Sequence, residues 1–226
     1  MYFSHIQLRR SGVGVARLLQ AMDVDDYRHH QFVWQMFGGT EKRDFIYRRE
    51  DNDNWPSYFV VSVREPLDRE EIWKIETKSY APKLSNGMGL AFSLRVNPVV
   101  TRKDEAGKRK RHDVVMDQKK RIGFKKMSMS ERPALPAIMR EAGLVWLSGR
   151  AEKNGFSFER GLVQIDSYSQ HLSVKRGGAK PIRFSTLDIS GVLTVTESSL
   201  FQRALFNGIG PAKGLGCGLL MVRRIS

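Results

Sequence analysis

The amino-acid sequence predicts an α+β protein built from two tandem ferredoxin-like (RRM-like) domains. Strand and helix patterns follow one another in the order β-α-β-β-α-β, and a similar order of elements then recurs. A linker pattern over residues 82–89 separates the two sets. We therefore expect an N-terminal domain over residues 1–84 and a C-terminal domain over residues 90–226. A chain of 226 residues is long enough for two small cores.

The first half is expected to contain four strands and two helices. The strands are predicted over residues 2–10, 44–49 and 58–63 and in a segment that runs through Tyr80. The first helix is capped by Asp25 or Asp26 and ends at Gly38-Gly39. Its apolar face is Phe32, Val33, Met36 and Phe37, at helical spacing. A second, short helix is predicted over residues 69–72.

The second half begins with the clearest strand pattern in the chain, over residues 90–100. Leu90, Phe92, Leu94 and Val96 alternate along it and predict one buried face. Helices are predicted over residues 134–150 and 197–206, and strands over residues 161–166, 171–176, 182–194 and 219–225.

The composition indicates a globular protein that attracts polyanions. The hydrophobic fraction of 41% is typical of a folded domain, while the net charge is +14 and the pI is near 10.1. Such an excess of positive charge favours encounter with nucleic acid or an anionic membrane surface. The alternative is a basic surface without such a partner.

Several classes of protein are disfavoured by what the sequence lacks. No stretch approaches the roughly 20 apolar residues that a membrane-spanning helix needs. The N-terminus does not resemble a signal peptide. Cys217 is the single cysteine, and the five histidines do not have the spacing of a zinc site. We expect a cytoplasmic protein without a metal or other cofactor.

The positive charge is concentrated between residues 102 and 126. Eleven Lys or Arg residues and four acids lie there, which accounts for half of the net charge. The densest groups are Lys108-Arg109-Lys110-Arg111 and Lys119-Lys120-Arg121. This pattern predicts a mobile basic loop or hairpin that contacts phosphates, and the alternative is a solvated surface loop.

A second basic group lies between two strand patterns. Lys175, Arg176 and Lys180 are expected at the tip of a hairpin, and Arg183 follows in the next strand. The guanidinium group of arginine is planar and carries several N–H donors, so it suits hydrogen bonds to phosphates and to base edges. The alternative is an ordinary exposed turn.

The most specific local pattern is a glycine-rich loop over residues 208–218. Gly208, Gly210, Gly214, Gly216 and Gly218 surround Lys213. The loop follows a helix and precedes a strand, the reverse of the order in nucleotide-binding loops, so nucleotide hydrolysis is disfavoured. The loop is expected either to hold RNA phosphates with its backbone N–H groups or to form a rigid turn against the sheet.

Four motifs in order along the chain resemble the CasE family of CRISPR repeat endoribonucleases. They are Met1-Tyr2-Phe3-Ser4, Tyr27-Arg28-His29-His30, Arg95-Val96-Asn97-Pro98, and the glycine-rich loop continuing into Leu219-Leu220. The resemblance implies tandem ferredoxin-like domains and metal-independent cleavage at the 3′ base of a repeat RNA stem-loop. It also implies that the protein stays on its product as a subunit of the type I-E interference complex, Cascade, in contact with other subunits, including the backbone subunit.

The resemblance assigns catalysis to His30 and a companion role to Tyr27. The 2′-hydroxyl of RNA can attack the adjacent phosphorus, and histidine suits the proton transfer because its pKa lies near neutral pH. Residues three apart share a face of a helix, so both can address one phosphate. His29 is expected to point about 100° away and to be exposed.

The sequence lacks the basic residues that some members of the family carry just after this histidine and one helical turn later. Gln31 and Gln35 occupy those places here, so we expect positive charge from Lys213 or the basic loops instead. The hairpin arginines of the family correspond best to Lys175 and Arg176, and its basic loop to residues 108–111.

Two other function classes fit the same features. A catalytically inactive RNA-binding subunit would share the charge and the folds, and a general RNA chaperone would bind duplex by shape. A metal-dependent nuclease would need convergent carboxylates, which the paired acids of this sequence do not suggest.

Overall fold

The computed structural model describes residues 1–9, 26–38, 42–52, 55–69, 71–173 and 181–225. None of the helices in these ranges is long and apolar enough to cross a bilayer.

In the first half, the described residues form a four-stranded antiparallel sheet with one helix packed on it. Its elements are β1 (Tyr2–Leu8), α1 (Asp26–Gln35), β2 (Phe45–Asn52), β3 (Trp55–Ser62) and β4 (Trp73–Ser79), and the strand order is β2-β3-β1-β4. Ile6 of β1 lies opposite Tyr58 of β3, and both are fully buried with Val33 of α1. The apolar face of α1 thus forms the core of this half.

The prediction of a short helix over residues 69–72 is wrong for the part of this segment that the structure describes. Glu71 has a left-handed φ of 55°, which a right-handed helix does not accept. The carboxylate of Asp68 instead accepts hydrogen bonds from the backbone N–H groups of Ile72 and Trp73, at 3.3 and 2.7 Å. These side-chain hydrogen bonds stabilise a turn that leads directly into β4.

The second half contains a five-stranded antiparallel sheet and a separate hairpin. Its elements are β5 (Gly89–Val96), β6 (Val99–Lys103), β7 (Arg109–Asp113), α2 (Val114–Arg121), α3 (Leu135–Ala151), β8 (Phe156–Ser157), β9 (Val163–Ser173), β10 (Ile182–Val195), α4 (Ser198–Asn207) and β11 (Leu220–Arg224). Strands β11, β5, β10 and β9 lie side by side in that order, while β8 pairs with the end of β10, and β6 pairs with β7.

Strand β9 is one continuous strand, whereas the sequence predicts two strands over residues 161–166 and 171–176. It runs unbroken through the polar residues 166–170, because β10 pairs with it from Ile182 to Gly191. The register of this pairing shifts at a bulge opposite Asp188 and Ile189. Tertiary pairing therefore overrides the weak local strand propensity of this segment.

Both sheets have the strand order of the ferredoxin-like fold. When β6, β7 and the two-residue β8 are left out and the other strands are numbered within each half, the fourth pairs with the first, the first with the third and the third with the second. The predicted α+β fold class is confirmed. The boundary expected between residues 84 and 90 stays a prediction.

The two halves meet through apolar and polar contacts. Ile46 and Val61 of the first sheet pack on Leu219 of the second half, and all three are buried. Arg48 donates to Ser93 Oγ at 2.8 Å. Arg95 donates to the carbonyl of Arg49 at 2.9 Å. These contacts hold the glycine-rich loop against α1 and β2.

Candidate active site

His30 lies on α1 on the side that faces β2. Its ring is partly buried, with centroid distances of 5.4 Å to Trp34, 6.2 Å to Phe45 and 6.4 Å to Tyr47. Tyr27 lies one turn earlier, 6.4 Å from His30 between ring centroids. The predicted proximity of Tyr27 and His30 is confirmed.

His29 is buried, and the expectation that it is exposed is wrong. Its exposed fraction is 1%, and Nδ1 lies 2.6 Å from the hydroxyl of Tyr58. Helix α1 lies flat on the sheet, and the face that carries Val33 also carries His29, four residues earlier. The two neighbouring histidines therefore have different surroundings.

The glycine-rich loop crosses from the second half to cover His30. A 3₁₀ turn over Lys213–Leu215 contacts both α1 and β2. The hydroxyl of Tyr47 donates to the carbonyl of Gly214 at 3.2 Å. A Cβ atom built on Gly214 would lie 3.7 Å from Cε1 of His30. A glycine at position 214 thus lets the loop backbone approach the histidine closely.

Arg43 completes this site, and the sequence prediction missed it. A Cβ atom on Gly214 would come within 2.7 Å of Nη1 of Arg43, so the guanidinium and His30 flank the same glycine. Within the described part of the chain, Arg43 has neither an ion pair nor a hydrogen bond. The available signal was the basic pair Lys42-Arg43, which directly precedes the strand predicted after the helix of His30. Arg43 supplies the cation that Gln31 and Gln35 do not.

The electrostatics of the site favour a neutral histidine beside Arg43, with Lys213 near that arginine. Burial, and then the positive charge of Arg43, lower the pKa of His30 below its ordinary value. The same two causes lower the pKa of Lys213. Nδ1 of His30 is buried without a hydrogen-bond partner among the described residues. The arrangement can accept a proton at His30 and stabilise negative charge next to it.

The remaining glycines of the loop shape its backbone. Gly208, Gly210, Gly216 and Gly218 have positive φ angles. The N–H of Ile209 donates to the carbonyl of Gly218 at 2.8 Å, which closes the loop on itself. Cβ atoms on Gly208 and Gly218 would meet backbone atoms at 2.8 and 2.9 Å. These contacts match the rigid turn that was one of the two expectations, and RNA contact by these glycines stays a prediction.

The predicted basic residues fall in several places. The group Lys108, Arg109, Lys110 and Arg111 is exposed on the β6–β7 hairpin, so a hairpin is confirmed there, while Lys119, Lys120 and Arg121 lie on α2. Arg183 is exposed on β10. Lys213 is the one that lies near Arg43, and burial together with that positive charge lowers its pKa. The hairpin tip with Lys175, Arg176 and Lys180 lies outside the described residues.

The structure brings together two of the four motifs that carry the resemblance, His30 on α1 and the glycine-rich loop. The family model described as CRISPR associated protein matches residues 1–224. The chain belongs to this family.

Known relatives agree with this assignment. The chain is 28% identical over 207 residues to the CRISPR system Cascade subunit CasE of Escherichia coli (strain K12), covering 90% of this chain and 94% of that protein. The resemblance to the CasE family is confirmed.

Two solved structures support the fold. A CRISPR endoribonuclease Cse3 bound to a 19-nucleotide RNA matches with a TM-score of 0.68 and 24% identity, covering 99% of this chain and 100% of the other. Thermus thermophilus Cse3, bound to an RNA that represents a pre-cleavage complex, matches with a TM-score of 0.67 and 25% identity over 98% of both chains.

Proposed function

We propose that this protein is a metal-independent endoribonuclease that binds the stem-loop of CRISPR repeat RNA and cuts at its 3′ base. It then stays on the mature guide RNA as a subunit of the type I-E complex in the cytoplasm, in contact with the backbone subunit and other subunits. Support comes from the family, from the CasE relative named for its place in Cascade, and from the Cse3 structures that contain RNA.

In the proposed reaction the 2′-oxygen of the RNA attacks the adjacent phosphorus. His30 takes the proton of the 2′-hydroxyl, and the P–O5′ bond breaks. The leaving 5′-oxygen takes a proton from water, and the hydroxide so formed takes the proton held by His30, which leaves a 2′,3′-cyclic phosphate, a 5′-hydroxyl and a neutral histidine. The position of His30 is the observation that supports this step most directly, because burial and Arg43 keep its imidazole neutral and able to accept a proton.

The neighbours of His30 have separate roles in this proposal. Arg43 and Lys213 stabilise the charge that develops on the phosphorane, since Arg43 flanks the same glycine as His30 and Lys213 lies near Arg43. Tyr27 orients the phosphate from the same side of α1. Catalysis thus depends on residues 1–84 together with the loop that reaches over from residues 90–226.

The basic surfaces of residues 90–226 bind the stem-loop in this proposal. The exposed hairpin cations Lys108–Arg111, the helix cations Lys119–Arg121 and Arg183 contact phosphates in this proposal. Lys175, Arg176 and Lys180 belong to the same proposed set.

The deciding experiment is cleavage of the host repeat hairpin in EDTA by the wild type and by His30→Ala. We expect the wild type to cut at the stem base and leave a 2′,3′-cyclic phosphate. Because proton transfer by a positioned group contributes roughly 10²–10⁴-fold, His30→Ala should lose activity by about that factor while it still binds the RNA. Product mapping and a binding titration are the two measurements.

Matched controls separate this enzyme from a catalytically inactive RNA-binding subunit. Gln31→Ala changes an exposed neighbour on the same helix and should leave the cleavage rate unchanged. Tight binding without any cleavage by the wild type would favour the inactive subunit.

A further inference from the structure

Two adjoining cavities lie along the second sheet beside the glycine-rich loop, and His30 lines neither of them. The smaller, about 170 Å³, is lined by Tyr47, whose ring is 6.4 Å from that of His30. The larger, about 750 Å³, extends towards the β6–β7 hairpin at Arg111. Both share a wall formed by His171, Phe184 and Leu215. We call the two together the β9–β10 groove, and Tyr47 and the glycine-rich loop separate it from His30.

A flat aromatic surface lies on the shared wall. His171 of β9 and Phe184 of β10 face each other in the strand register, and their rings stack with centroids 4.6 Å apart and planes 13° apart. Both side chains are partly exposed. Nε2 of His171 lies 2.9 Å from the hydroxyl of Thr186, which fixes the orientation of the imidazole. Proteins hold unpaired bases by stacking them on such rings.

The charge along the groove suits a phosphate backbone. Arg111 and Arg183 line the larger cavity, are exposed, and have no ion-pair partner in the ranges the structure describes. The acids of the wall are already engaged within the protein. Asp188 pairs with Arg95, whose Nε lies 2.7 Å from Oδ1, and Asp113 accepts the hydroxyl of Ser185. The larger cavity therefore offers two exposed guanidinium groups beside the aromatic pair, while the acids that line the groove are engaged within the protein.

We propose that the β9–β10 groove binds an unpaired RNA segment next to the cleaved phosphate, with one nucleobase packed on His171 and Phe184. This inference rests on the proposed function, because it identifies the RNA that enters the groove by the position of His30. A base inside a duplex has both faces covered by its neighbours, so stacking on a protein ring selects an unpaired nucleotide.

The test is the affinity of Phe184→Ala for uncleavable repeat RNAs that carry a 2′-deoxy sugar at the cut site. Four RNAs are compared: the hairpin with both flanks, with the 5′ flank only, with the 3′ flank only, and without flanks. Since stacking contributes about 1–3 kcal/mol per base, we expect a loss of about five- to hundred-fold for RNAs that contain the bound flank. The RNA without that flank should bind both proteins equally. The readout is affinity, so it does not depend on catalysis by His30.

The chain contains a matched control pair in the other sheet. His5 and Phe59 stack with centroids 4.6 Å apart and planes 11° apart, but neither lines the groove. Phe59→Ala should leave all four affinities unchanged, and Phe184→Trp should retain the flank-dependent affinity because it keeps an aromatic face. The proposal would be overturned if Phe184→Ala lost the same affinity for RNAs with and without flanks, or if it lost affinity for none of them. The absence of any loss would favour a protein as the occupant of the groove. If the flank effect appears while the wild type never cuts, the groove assignment stands and the proposed catalysis fails.

Discussion

The protein has two cationic regions with very different surroundings. Arg43 is exposed and lies beside His30, while Lys213 lies in the glycine-rich loop near Arg43, and loss of hydration lowers the pKa of each. The β6–β7 hairpin carries a denser run of charge, Lys108 to Arg111, but its side chains are exposed to solvent. Water and salt screen exposed charges, whereas charges in a partly buried site act at close range.

The comparison separates attraction from catalysis. The hairpin contains more charge and should dominate the encounter with RNA and its salt dependence. The two site cations contribute little to the net charge, but they lie where the phosphorane charge would develop. Local charge density along the sequence therefore does not identify the cations that matter most for the chemistry.

The largest expected difference between the two regions is in the cleavage rate. Lys213→Ala and Arg43→Ala should each slow single-turnover cleavage by about 10²-fold, because each removes one charge-stabilising group from the site. Lys108→Ala should leave the rate at saturating protein unchanged, since this exposed side chain lies on the hairpin. Similar losses for Lys108→Ala and Lys213→Ala would contradict the separation.

The hairpin should instead control the salt dependence of binding. Replacing Lys108, Arg109 and Arg111 by alanine should flatten the plot of log affinity against log salt by about 0.9 for each phosphate that the variant no longer neutralises. Lys110 is the control within the run, because its ammonium already pairs with Asp104 at 3.0 Å. Lys110→Ala should change the slope least. An unchanged slope in the triple variant would remove the hairpin from the RNA-binding surface.

Two glycines of the loop should separate stability from activity. Gly218 has a φ of 94°, and an added Cβ would lie 2.9 Å from the carbonyl oxygen of Ile209. Gly218→Ala should therefore lower the free energy of unfolding by about 1–3 kcal/mol, measured by denaturant titration. At Gly214 the added Cβ meets the mobile end of Arg43, so Gly214→Ala should keep the stability within about 0.5 kcal/mol of the wild type and slow cleavage. The reverse pattern would show that position 214 is a folding determinant.

The smallest expected effect is on the pH dependence of cleavage. The imidazole must be neutral to accept a proton, so kcat/KM should fall only below the ordinary histidine pKa of about 6.5, because the pKa of His30 is lowered. Arg43→Gln removes the weaker of the two causes that lower the pKa of His30. The fall of kcat/KM on the acid side should therefore move to higher pH. Burial remains, and this acid limb should stay below that of a solvent-exposed histidine. A limb at the same pH in both proteins would show that Arg43 does not act on His30.

Much of the fold could be predicted because its signals are local. The alternation of Leu90, Phe92, Leu94 and Val96 placed β5, and the apolar spacing over residues 32–37 placed α1. Local reasoning failed where a turn or a neighbouring strand decided the structure, as at Glu71 and along β9.

The candidate site divides in the same way. The sequence by itself determined that Tyr27 and His30 share a helix face and that a glycine-rich turn precedes the last strand, since helix period and glycine content are properties of neighbouring residues. Only the tertiary structure decided that Arg43 and Gly214, far apart in sequence, meet at His30, and that His29 is buried. It also decided that His171 and Phe184 line a groove beside the site. The physical reason is that these contacts depend on how the second half packs on the first sheet, which no periodicity within either half encodes.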